Sequence, residues 1–135
     1  MPSSVGARLC HALVVEDDSA ICSLFRTLLR REGFTVDTCR TGSQAIASIA
    51  PDRYQLIVID LRLPETHGQE VINYLKSHHL DVLKSVIVVS ADASVVRDAY
   101  PEPICKFLAK PFDVDEFAKL VHACSEACAK PAATA

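Results

Sequence analysis

LCHALVVEDD, running from Leu9 to Asp18, is the stretch on which the fold turns. Its apolar run over Leu9 to Val15 stops abruptly at Glu16, Asp17 and Asp18. A continuous apolar run of this length reads as a strand buried on both faces, with acids gathered at its carboxyl end. Strands buried on both faces belong to parallel sheets, whose crossover helices cover both sides.

The rest of the chain repeats this grammar. Ile21, Leu24, Phe25, Leu28 and Leu29 recur at helical spacing, and Arg30, Arg31, Glu32 and Gly33 supply a polar last turn and a stop. Phe34 to Cys39 alternates as a short strand. Thr41 and Gln44 then make a capping-box pattern for a helix carrying Ala45, Ile46 and Ile49, which ends before Pro51. Tyr54 to Ile59 is a further continuous strand closed by an acid, Asp60, and Leu61 to Gly68 is a loop containing Pro64. A third helix carries Val71, Ile72 and Leu75. Ser85 to Val89 is a buried strand ending in Ser90, and Ile104 to Leu108 another, shortly before Lys110 and Pro111. Between them Pro101 and Pro103 stop a fourth helix from passing Tyr100. The last helix opens with Asp113 and Glu116 as cap residues and shows Phe117, Leu120, Val121 and Cys124 on one face.

Strand and helix thus alternate throughout, which predicts an α/β fold: a doubly wound, five-stranded parallel sheet with helices on both faces and right-handed crossovers. A chain of 135 residues suits one domain, here 9–128, between flexible ends at 1–8 and 129–135.

Composition narrows the function. With 23% charged residues and a net charge of -3 there is no basic footprint for nucleic acid, so direct DNA contact is not expected. No apolar stretch approaches the ~20 residues that cross a bilayer, so the expectation is a soluble cytoplasmic protein with no membrane contact. The six cysteines (Cys10, Cys22, Cys39, Cys105, Cys124 and Cys128) read as reduced thiols, since no secretory signal precedes them and three lie at apolar positions. A zinc site from Cys124, Cys128 and His122 would lack a fourth ligand. His67, His78 and His79 read as solvated loop or helix-end residues, and His11 and His122 show no partner pattern that would suggest acid-base work.

In doubly wound sheets the functional crevice lies outside the carboxyl ends of the strands, where strand order reverses. Those ends carry Glu16 and Asp17, Asp60, Ser90 and Lys110. Three carboxylates converging there repel one another by about 4 kcal/mol per pair at ~4 Å and an effective dielectric of about 20, unless a cation compensates. Against Lys110 they leave two negative charges, the balance of one divalent cation, and hard oxygen ligands favour Mg²⁺. Such a site suits phosphoryl transfer, with Asp60 attacking in line and Lys110 and Ser90 contacting phosphoryl oxygens. Asp18, at the rim, reads as a helix cap.

Four motifs then stand in order: Val14-Val15-Glu16-Asp17-Asp18, Asp60-Leu61-Arg62-Leu63-Pro64 with Gly68, Ser90-Ala91, and Lys110-Pro111-Phe112. From about Cys10 to Cys124 the chain resembles the receiver domain of two-component response regulators, close in layout to the single-domain chemotaxis type. The resemblance implies a flavodoxin-like strand order 2-1-3-4-5 and a phosphoacceptor role for Asp60. It implies that Glu16, Asp17, Asp60 and the backbone carbonyl of Arg62 hold Mg²⁺, or Mn²⁺ in its place. Ser90 and Phe107 would form a two-state switch, Lys110-Pro111 would be cis, and Ala91 and Asp92 would line the pocket rim, with Arg62 and Asp92 able to pair across it. The donor would be a phosphohistidine on a sensor histidine kinase or histidine phosphotransfer protein. Output would pass to an unknown downstream protein by contact or relay, from a monomer or weak dimer. By this reading the chain is no enzyme beyond its own phosphoryl transfer and autodephosphorylation.

Two other readings compete. A phosphorylation-independent pseudo-receiver scaffold would keep the fold without the chemistry, which the intact Asp60, Lys110 and acidic pair argue against. A phosphatase of the haloacid dehalogenase type would need a second acid where Arg62 stands, and a cap for which no residues are available.

Overall fold

A computed structural model describes residues 10–63, 68–91 and 106–125. Its strands are β1 (Cys10–Val15), β2 (Phe34–Cys39), β3 (Leu56–Asp60), β4 (Val86–Ser90) and β5 (Lys106–Ala109). Its helices are α1 (Ser19–Arg31), α2 (Gly42–Ser48), α3 (Gly68–His78) and α4 (Val114–Cys124), with a 3-10 turn at Leu80–Ser85. The strands form one sheet in the order β2-β1-β3-β4-β5, every neighbour pair parallel. This is the order the resemblance implies, and it reverses direction between β1 and β3.

Why the strands read as continuous apolar runs is visible in the two cores. Successive strand residues point to opposite faces, so Leu13, Val15, Ile57, Ile59, Val86 and Val88 pack with Val71, Ile72 and Leu75 of α3 on one side. Ala12, Val14, Leu56, Val58, Ile87 and Val89 pack with Phe25 and Leu29 of α1 and Phe117 and Val121 of α4 on the other. Every residue of β3 and β4 is buried. At about 1.5 to 3 kcal/mol for each fully buried large aliphatic or aromatic side chain, these layers supply the main drive for folding.

The helix starts follow local chemistry. The Asp18 carboxylate accepts from the amides of Ala20 and Ile21 at 2.9 and 3.0 Å, which makes it the N-cap of α1, as expected. Thr41 caps α2 by accepting from Gln44 N at 3.1 Å, while Gln44 Oε1 accepts from Arg40 N at 2.8 Å. The reciprocal half of the capping box therefore reaches one residue further back than the usual pattern. Asp113 caps α4 by accepting from Glu116 N at 2.7 Å. Gly33, past the end of α1, has a φ of 96°, a left-handed conformation open to glycine.

Several expectations need correction. Leu24 does not join the apolar stripe: it is 40% exposed, because the core face of α1 centres on Phe25, Leu28 and Leu29 and Leu24 falls on its flank. β3 begins at Leu56 rather than Tyr54, whose hydroxyl turns aside to donate to Asp37 Oδ2 at 2.7 Å. Gly68 is the first residue of α3 rather than the end of a loop. Cys22 and Cys39 are free thiols, but Cys10 and Cys124 are disulfide-bonded, which corrects the reduced reading for those two and removes Cys124 from any zinc set. The reduced reading rested on the absence of a secretory signal, which does not decide whether the fold brings two sulfurs within bonding distance. His122 pairs instead with Glu32, Nε2 to Oε1 at 2.7 Å. The fourth-helix segment with Tyr100, Pro101 and Pro103, and the residues Pro64, His67, Asp92, Ile104, Cys105 and Cys128, lie outside the described residues. Among the described residues no helix is long and apolar enough to cross a membrane.

Candidate functional site

Register brings the strand ends level. Val15 stands beside Cys39 on one side and Ile59 on the other, Asp60 beside Val89, and Ser90 beside Ala109. The residues that follow are held by further backbone bonds: Glu16 N to Cys39 O at 3.0 Å, Leu61 N to Val89 O at 3.0 Å, and Lys110 N to Ser90 O at 2.8 Å. The polar groups that sequence scatters thus meet along one edge of the sheet.

At the centre, Lys110 Nζ donates to Asp60 Oδ2 at 2.9 Å and to Glu16 Oε1 at 3.2 Å. Asp60 Oδ1 accepts from Arg62 N at 2.9 Å, and Glu16 Oε2 accepts from Asp18 N at 3.2 Å. Both acids are buried, at 5% and 2% exposure. One oxygen each from Glu16, Asp17 and Asp60 fall within 4.8 Å of one another, with Asp17 the more open to solvent. The Lys110-Pro111 bond is cis, as the resemblance implies.

The electrostatics follow from crowding. Burial, and then the charge and hydrogen bonding of Asp60, push the Glu16 carboxyl up from 4.5 to about 7, only partly offset by the Asp18 amide and Lys110. Burial alone would lower the Lys110 amine, but its bonds and charge contacts with Asp60 and Glu16 outweigh that and hold it above its ordinary value. One lysine is too little countercharge for three converging acids. A carboxylate set of hard oxygens, with one member open to water, fits Mg²⁺, which binds through one or two carboxylates and keeps several waters.

Around this centre, Ser90 is buried at the end of β4, 4% exposed. Phe107 lies on β5 opposite Val88 and is 37% exposed. Arg62 and Ala91 are exposed at the mouth. Asp92, the expected partner of Arg62, lies outside the described residues.

Residues 12–122 match the family described as the response regulator receiver domain. The chain belongs to that family. Receiver domains of two-component systems are phosphorylated on an aspartate by histidine kinases, typically with Mg²⁺. The receiver chain is 29% identical over 111 residues to the regulatory protein VanRB of Enterococcus faecalis, covering 82% of this chain but 50% of that one. The chain thus spans about half, or less, of the curated relatives it matches, covering 23% of the transcriptional regulator NtrC of Salmonella typhimurium. A CheY-like receiver domain from Methylobacillus flagellatus superposes with a TM-score of 0.72 at 27% identity, over 87% of this chain and 99% of that one. The response regulator TrrA of Thermotoga maritima, solved with Mg²⁺ and BeF, shares the fold with a TM-score of 0.76 at 24% identity, over 86% of this chain and 99% of that one.

Two further residues bear on the receiver's site, one read only in part from the sequence and one missed. Gly68 was legible only as part of a motif, yet an added Cβ there would lie 2.5 Å from the Asp60 carbonyl oxygen. Arg40 gave no signal, and its Nη2 donates to the Asp17 carbonyl at 3.1 Å.

Proposed function

We propose that Asp60 is the phosphoacceptor of this receiver. The observation that carries the reading is the Lys110 ammonium bridging Asp60 Oδ2 and Glu16 Oε1 at the meeting point of three carboxylates. In this account the Arg62 amide fixes one Asp60 oxygen, which orients the carboxylate for in-line attack on phosphorus. A P–N bond of a phosphohistidine breaks as a P–O bond to Asp60 forms. Lys110 then exchanges its Asp60 contact for a phosphoryl oxygen and stabilises the charge carried there. Glu16, Asp17, Asp60 and the Arg62 carbonyl would hold Mg²⁺, or Mn²⁺ in its place, which neutralises charge on the transferred group when bound.

Ser90, one strand over, would donate to another phosphoryl oxygen. Its movement and rotation of the exposed Phe107 ring form the proposed switch, with Ala91 at the rim. The donor is a sensor histidine kinase or histidine phosphotransfer protein in the cytoplasm. The receiver acts by itself, as a monomer or weak dimer, through contact with a downstream protein or relay of the phosphoryl group. It catalyses no reaction beyond its own phosphorylation and autodephosphorylation.

The test is intact mass after incubation with acetyl phosphate and Mg²⁺, for wild type and Asp60→Asn. A phosphoryl-sized gain in wild type alone supports the reading. No gain in wild type, with Mg²⁺ binding also absent, overturns it in favour of the scaffold.

A further inference from the structure

The acidic loop Glu16-Asp17-Asp18 is tethered unevenly. Glu16 is held by its amide to Cys39 O at 3.0 Å and by Lys110 Nζ at 3.2 Å. Asp18 is held by its amide to Glu16 Oε2 at 3.2 Å and by its capping bonds to α1. Asp17 is the open member of the cluster, and Arg40 Nη2 grips its backbone carbonyl at 3.1 Å.

Arg40 is itself anchored. Its amide donates to Gln44 Oε1 at 2.8 Å, and the next residue, Thr41, caps α2 through Gln44 N at 3.1 Å. A chain of contacts therefore runs from the first turn of α2 through the guanidinium to the peptide of Asp17. Arg40 and Arg26 also line, with Glu16, Asp17, Cys22 and Thr38, a cavity of about 180 Å³ beside the acids.

We propose that Arg40 is a positioning residue for the divalent cation: by holding the Asp17 peptide it presets that carboxylate toward Glu16 and Asp60. This rests on the receiver's cation site being the one described above. Two opposing effects are separable here. A positive charge near the acids repels a cation, and it weakens with distance and solvent screening. A hydrogen bond from a charged donor to a carbonyl instead fixes geometry, and Mg²⁺ demands near-ideal octahedral placement of its ligands. Ordering outweighs repulsion because the guanidinium contacts the carbonyl, not the carboxylate.

The experiment is Mg²⁺ titration of the intact metal-free chain, followed by amide NMR shifts. It compares wild type, Arg40→Ala, Arg40→Lys, Asp17→Asn and the Arg40→Ala/Asp17→Asn double variant, each also melted without metal. Arg40→Ala is expected to weaken Mg²⁺ binding by about five- to tenfold, the worth of one solvent-exposed hydrogen bond. Arg40→Lys should restore part of that affinity. In the Asp17→Asn background Arg40→Ala should have no further effect, and the metal-free melting temperature of Arg40→Ala should match wild type.

Unchanged or tighter Mg²⁺ binding in Arg40→Ala overturns the proposal, as does an equal loss in the Asp17→Asn background or a fall in metal-free stability that accounts for the weakening. Absence of Mg²⁺ binding in wild type would instead remove the cation site itself, and this inference with it.

Discussion

Gly68→Ala tests how closely α3 abuts the phosphoacceptor strand. A Cβ at this position would lie 2.5 Å from the Asp60 carbonyl oxygen, 2.9 Å from Leu61 Cα and 3.1 Å from Ile59 Cγ2. An ordinary C···O contact is about 3.3 Å or more, so helix and strand must part by about 0.8 Å. Neither of the two nearest atoms belongs to a side chain that can rotate away. Leu61, the next residue, is moreover pinned at both ends, by its amide on Val89 O at 3.0 Å and by the Gly68 amide on its carbonyl at 3.1 Å. Overpacking costs typically about 1 to 3 kcal/mol, and the better helix propensity of alanine returns up to ~1 kcal/mol. The expected net loss is about 1 to 2 kcal/mol. A displacement near 1 Å of the attacking carboxylate also costs about a hundredfold in rate. Urea denaturation gives the first quantity, and the initial rate of phosphorylation from acetyl phosphate on a phosphate-retarding gel gives the second. Gln69→Ala, one residue on, is the control and should stay within about 0.5 kcal/mol of wild type. A Gly68→Ala protein with wild-type stability and rate would refute the reasoning.

The remaining predictions concern charge. Because the folded Glu16 carboxyl titrates near 7 rather than 4.5, the stability it contributes to the metal-free protein is full below about 4.5 and lost as pH rises through about 7. Mg²⁺ affinity should rise over the same window with release of a proton; melting curves with and without Mg²⁺ across that range check both, and flat curves would contradict the assignment. Lys110→Ala leaves Asp60 and Glu16 without their shared cation, so denaturation should show a loss of about 1 to 3 kcal/mol, with phosphorylation abolished. Asp60→Asn removes one of three converging charges while keeping an oxygen for the Arg62 amide, so the metal-free melting temperature at pH 8 should rise and the stabilisation by added Mg²⁺ should shrink.

The architecture was legible because continuous runs such as Leu56 to Ile59 have one physical reading: a strand covered on both faces. The acids were legible because each stands immediately after such a run, whereas Lys110 follows the edge strand β5, of which only Leu108 is buried; parallel register levels all these positions. Boundaries were less so. Tyr54 reads as strand by hydrophobicity, but its hydroxyl finds Asp37 and the strand starts later. The disulfide-bonded state of Cys10 and Cys124 depends on which sulfurs the fold brings together, which spacing does not encode. Arg40 was invisible for a similar reason: a lone arginine before a helix cap acquires meaning only when the fold brings it to the Asp17 carbonyl.

Which atom carries the phosphoryl group decides most directly whether Asp60 is the acceptor. An acyl phosphate, unlike a phosphate ester, is reduced by borohydride to an alcohol, so treating the phosphorylated chain and sequencing its peptides by mass spectrometry locates the acceptor. The prediction is homoserine at position 60 in wild type after acetyl phosphate and Mg²⁺, and at no position when Mg²⁺ is chelated. Homoserine at another aspartate, or a phosphate that survives reduction, would contradict it.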